Sequence, residues 1–148
     1  MMRSVLAAVA VIMWNWAACA QAPAGDKAAP GRPRSISIEL NKLEPQGSTC
    51  RAYFVLVNRS ETEFADIQLD VFLFDKQGVV ARRAALATRQ LQPGKTNIRL
   101  FDLVDTPCDT IGRLVLNEVL ACKNVVGGPA NCQGMLALSS RAGVEFVE

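Results

Sequence analysis

The chain has 148 residues, 50% of them hydrophobic, with 16 Lys and Arg against 14 Asp and Glu and no His. That length accommodates one domain, and the near-neutral balance lacks the basic excess of a nucleic-acid binder. Without a ring nitrogen the chain cannot build a Ser-His-Asp or Cys-His pair, an HExxH zinc site or an imidazole pH switch.

Met1, Met2 and Arg3 form a short basic start, residues 5–13 are an unbroken apolar run, and Ala18, Cys19 and Ala20 end it with small residues. This is the pattern of a secretory signal peptide over residues 1–20, cut after Ala20. Two alternatives would instead attach the chain to a membrane. One is an uncleaved anchor, although residues 4–20 are marginal in length for spanning. The other is a lipoprotein carrying its lipid on Cys19, with Trp16 where a lipobox usually has Leu. The Ala-rich leader has a bacterial style, so the expected compartment is the periplasm. Residues 21–35 are dense in Ala, Pro and Gly with no apolar periodicity, which predicts a flexible linker.

Residues 36–148 then alternate short runs of Val, Ile, Leu and Phe with turn signals, and no 3.6-residue stripe persists. The expected fold is all-β, a single immunoglobulin-like antiparallel sandwich of seven to eight strands. Strands are predicted over residues 36–43, 50–58, 64–74, 79–87, 96–102, 113–122, 135–140 and 144–147. Within the third, strict alternation places Ile67, Leu69 and Val71 in the core and Asp66, Gln68 and Asp70 outside. Phe72 and Phe74 fall on that polar face, which predicts a loop or a partner over them. Residues 53–57 are apolar on both faces, as a central strand requires. Residues 75–78 and 92–95 carry turn chemistry suited to hairpin-like connections. The segment 111–120 is the one helical competitor, but Gly112 opens it and Val115 and Val119 are β-branched.

Three motifs punctuate these strands: Asn58-Arg59-Ser60, then the run from Phe72 through Asp75 and Gly78 to Val80, then Leu91-Gln92-Pro93-Gly94-Lys95-Thr96. Together they resemble the secreted FxLYD- and CARDB-like domains of immunoglobulin or fibronectin type III architecture. The resemblance covers about a third of the domain and rests on turn chemistry. It implies a sandwich acting as an adhesion, presentation or accessory module and brings no catalytic residues with it. The Cys-rich second half departs from the pattern.

Setting Cys19 aside leaves Cys50, Cys108, Cys122 and Cys132, an even number in a secreted chain, so two disulfides are expected. Of three possible pairings the favoured one joins Cys122 to Cys132 across what reads as one long hairpin loop, leaving Cys50 with Cys108. C-x-x-C spacing for zinc or redox chemistry is absent. Asp102, Asp105 and Asp109 form a weak alternative calcium or ligand loop whose spacing fits no EF-hand. Arg82 and Arg83, with Arg89 and Arg99 on an expected neighbouring strand, are the densest basic group. Asn58-Arg59-Ser60 reads as a turn, and Ser139-Ser140 lacks a nucleophile elbow. The resulting expectation is a non-catalytic envelope interaction module without a cofactor. It would use a sheet edge or the Phe72, Phe74, Arg82 and Arg83 face toward an envelope protein partner.

Overall fold

The computed structural model describes residues 35–128 and 130–148. The expected leader, the Cys19 lipid site and the linker up to residue 34 lie outside the described residues. Eight strands follow in chain order: β1 (Ile36–Gln46), β2 (Thr49–Asn58), β3 (Phe64–Asp75), β4 (Val80–Ala87), β5 (Thr96–Leu103), β6 (Ile111–Asn124), β7 (Leu136–Ser140) and β8 (Glu145–Val147). Single 3-10 turns at Cys108–Thr110 and Gln133–Met135 precede β6 and β7. Each strand grows from an expected apolar run, including β6, where β-branched Val115 and Val119 favour the extended chain.

The strands form two four-stranded sheets, ordered β5-β2-β1-β7 and β4-β3-β6-β8. Between them lies one core built from the inward rows of both. Ile36, Ile38 and Leu40 of β1 and Phe54 and Leu56 of β2 face Ile67, Leu69, Val71 and Leu73 of β3 and Leu114 and Leu116 of β6. The Phe54 ring stands edge-on to Phe101 of its own sheet and to Phe146 of the opposite one, both at 5.6 Å between centroids. That places one aromatic across the sandwich interior.

The all-β, two-sheet architecture is therefore the one read from the strand pattern, with two refinements. First, β7 runs parallel to β1 and β8 parallel to β6, so each sheet is mixed at one edge. The segment after β6 does not return as a hairpin beside it. It crosses to the other sheet, and a crossing strand enters beside β1 in the same direction. Second, the turn at residues 75–78 does make a β3–β4 hairpin, closed by Gly78 at φ 80°. The turn at residues 92–95 instead carries the chain from β4 in one sheet to β5 in the other.

Both disulfides form with the favoured pairing, Cys50–Cys108 and Cys122–Cys132. Cys50 is fully buried opposite Leu103, so the first bridge ties the β2–β5 pair to the turn that opens β6. The second staples the loop after β6 to that strand. Asn124 organises this loop, accepting the Gly128 N–H on its side chain and the Gly127 N–H on its carbonyl.

Asn58 is buried, which settles the reading of Asn58-Arg59-Ser60 as a turn. Its side-chain amide donates to the Thr62 and Leu91 carbonyls, and its oxygen accepts from the Ser60 N–H and hydroxyl. The residue pins the β2–β3 connection to the start of the sheet crossover, and its amide is inaccessible to a sugar.

Candidate docking faces

Phe72 and Phe74 lie on the outer face of the β4-β3-β6-β8 sheet, but neither a loop nor an open patch stands over them. The Arg83 guanidinium lies 5.7 Å from the Phe72 ring centre, and that of Arg113 lies 4.5 Å from Phe74. These cation–π contacts half-bury both rings within the chain itself. Arg83 is held there by Asp70, with 2.6 Å between Nε and Oδ1, and the other Asp70 oxygen accepts from Asn117 at 2.9 Å. Asp70, expected at the solvent face, is thus only 1% exposed beneath its own partners. The Arg83 hydrogen bond holds its carboxyl below the ordinary value against the opposing effect of burial. Asn117 reaches it because β6 bulges between the partners of Asp70 and Val71.

The basic group is not one surface. β4 and β5 are edges of different sheets, and two of the arginines bridge that gap rather than face solvent together. Arg82 donates to the Val104 carbonyl. Arg99 donates to the carbonyls of Thr88 at 2.6 Å, Ile98 at 3.1 Å and Gln90 at 3.3 Å. Arg89 sits between them in a left-handed turn, with φ 58° and its N–H on the Asp66 carboxylate.

The acidic loop is not gathered either. Asp102 is on β5, where Arg51 takes both its oxygens at 2.7 and 3.0 Å and lowers its pKa. Asp105 occupies a left-handed turn and Asp109 the 3-10 turn. Among the described residues no three acidic or cysteine side chains stand close enough to hold a metal ion.

A different face carries exposed apolar surface. In β5 the sequence Asn97-Ile98-Arg99-Leu100-Phe101 invites the reading that Ile98 and Leu100 point inward. The register reverses it: Asn97, Arg99, Phe101 and Leu103 lie opposite core-facing Leu56, Phe54, Ala52 and Cys50. Leu103 and Phe101 fix this phase, because a one-residue slip of β5 would turn both out and part Leu103 from the disulfide-bonded Cys50 it pairs with. Ile98 and Leu100 are consequently 58% and 49% exposed, opposite half-buried Val55 and Tyr53 of β2. One end of this strip is closed by charge, with Lys42 5.3 Å from the Tyr53 ring centre and the Arg51–Asp102 pair beyond. The signal available in the sequence was the apolar outer row of residues 53–57, which implies neighbours of the same kind.

A concavity of about 500 Å³ opens beside Cys122–Cys132, between Val119, Leu120 and Ala121 of β6 and the stapled loop.

No family model and no curated protein matches the chain. Among solved structures it is similar to IrmA from Escherichia coli, with a TM-score of 0.53 and 16% identity over 71% of this chain and 91% of that one. At that identity the likeness is one of fold: a β-rich sandwich-like domain.

Proposed function

We propose that this chain is a non-catalytic accessory or protein-interaction module of the bacterial envelope. It would be delivered to the periplasm by its first twenty residues and dock through the outer face and edge of β5. Two disulfides fit maturation in an oxidising compartment, and no helix among the described residues is long and apolar enough to cross a membrane. The FxLYD- and CARDB-like turn motifs fit the same architecture and the same kind of role.

The observation that carries the reading is the reversed face of β5. Large aliphatic side chains turned to solvent on an edge strand lie where extended partners add to sheets, their backbone pairing with the edge and their side chains with the face. The Phe72 and Phe74 face supports it less, since Arg83 and Arg113 already occupy the rings. The test is chemical cross-linking in intact envelope fractions. Ile98→Ser with Leu100→Ser should remove a defined adduct that Phe72→Ser with Phe74→Ser leaves in place. An adduct indifferent to the first pair and abolished by the second would return the docking face to the β3 side.

A further inference from the structure

β5 is an edge of its sheet, and the direction of its backbone groups follows from its pairing. The Asn58 N–H donates to the Lys95 carbonyl and the Gly94 N–H to the Asn58 carbonyl. In an antiparallel ladder bonded and non-bonded pairs alternate. Asn97, Arg99, Phe101 and Leu103 therefore exchange bonds with β2, and Ile98 and Leu100 direct N–H and C=O away from the sheet. The Arg99 guanidinium bond to the Ile98 carbonyl agrees, since that oxygen must be free of β2 to accept it. Among the described residues no backbone group pairs with these edge positions.

A strand added here, in either direction, alternates its side chains. One set lies over Ile98 and Leu100. The other enters the gap between the two sheets, a concavity of about 470 Å³ lined by Ala85, Ala87, Arg89, Arg99, Leu100 and Phe101. That lining has two cations and no acid. Asn97, one step along the same inward row, holds a buried amide nitrogen with no acceptor among the described residues. Arg99 meanwhile spends its donors on neutral carbonyls, one of them the edge carbonyl an incoming strand needs.

We propose that the β5 edge binds an extended segment of a partner protein carrying apolar residues on either side of an acidic one. The apolar pair would cover Ile98 and Leu100, and the carboxylate would enter the gap to Arg99 and Arg89. A carboxylate is a stronger acceptor for guanidinium than a carbonyl. It draws Arg99 off the Ile98 oxygen and opens the edge in the same step. A segment without the acid must break that contact uncompensated, so Arg99 both guards the edge and selects its occupant.

This inference rests on the β5 docking face proposed above and adds the chemistry of the partner. The test uses the oxidised, isotope-labelled chain titrated with two capped peptides, Ser-Thr-Val-Glu-Val-Thr-Ser and its Gln counterpart, followed by amide shifts. The Glu peptide should bind at least tenfold more tightly, with shifts centred on Ile98, Arg99 and Leu100 and weakening as salt rises. Arg99→Gln should bring the two peptides close to equal affinity. Arg89→Gln, at an exposed side chain outside the core, should narrow the ratio without touching the fold. Ile98→Lys should abolish binding of both. Equal affinities of the Glu and Gln peptides for the unaltered chain, with shifts still on β5, overturn the acidic partner and leave the docking face standing. Binding of neither peptide at millimolar concentration, or shifts away from β5, overturns both.

Discussion

Removing the Cys50–Cys108 bridge by Cys50→Ala with Cys108→Ala opens a loop of sequence separation 58, whereas Cys122→Ala with Cys132→Ala opens one of 10. In the chain-entropy description the first closure contributes about 4 kcal/mol at 25 °C and the second about 3 kcal/mol. The entropy of unfolding of a domain of about 110 residues is near 0.23 kcal/mol/K, so the melting temperature should fall by about 17 °C and about 13 °C respectively. Packing widens the gap. Cys50 is fully buried against the β2–β5 pair, and its loss also loosens the phase that keeps Phe101 and Leu103 inward. Differential scanning calorimetry on both pairs of variants, with calorimetric and van't Hoff enthalpies compared, reads the order directly. An equal fall for the two pairs, or a larger one for the short loop, would show that loop length and the burial of Cys50 do not set the order.

Four further outcomes follow from the structure. Phe54→Ala, which removes the ring spanning both sheets, should cost about 3–5 kcal/mol in denaturant unfolding. Gly112→Ala should destabilise sharply, because a Cβ there would run into the Asp75 carbonyl, while Gly134→Ala, facing open space, should leave the midpoint unchanged. Asn58→Ala removes the buried amide that bonds the Thr62 and Leu91 carbonyls and the oxygen that accepts from Ser60, and should cost about 1–3 kcal/mol by the same assay. The carboxyls of Asp70 and Asp102 are lowered, chiefly by hydrogen bonds from Arg83 and Arg51, so each favours the fold above the ordinary carboxylate range. That contribution should be complete at neutral pH and decline as the pH falls through about 4 and below. An Asp70→Asn, Asp102→Asn chain should lose stability less steeply across that interval.

Strand positions were legible because the period-two pattern and turn residues agree along the chain, from Asp66 through Val71 to the glycine at position 78. The disulfide pairing was legible from loop length. Sheet membership was not. The turn at residues 92–95 has the same chemistry whether it closes a hairpin or carries the chain between sheets, and nothing local distinguishes β7 beside β1 from β7 beside β6. Asp70 looked like a solvent residue because burial by Arg83 and Asn117 depends on contacts from two other strands. The exposed strip was hidden for the opposite reason. In β5 the local alternation favours Ile98 and Leu100 inside, and the buried Cys50–Leu103 pairing overrides it from the far end of the strand.

Docking at β5, as proposed, brings the outer face of that strand against a partner protein. A photo-activatable amino acid placed at Leu100 and, separately, at Gln68 on the outer face of the opposite sheet tests it most directly, by irradiation of living cells. A discrete adduct with another envelope protein is expected from position 100 and none from position 68. Adducts from position 68 alone, or from neither position, would contradict it.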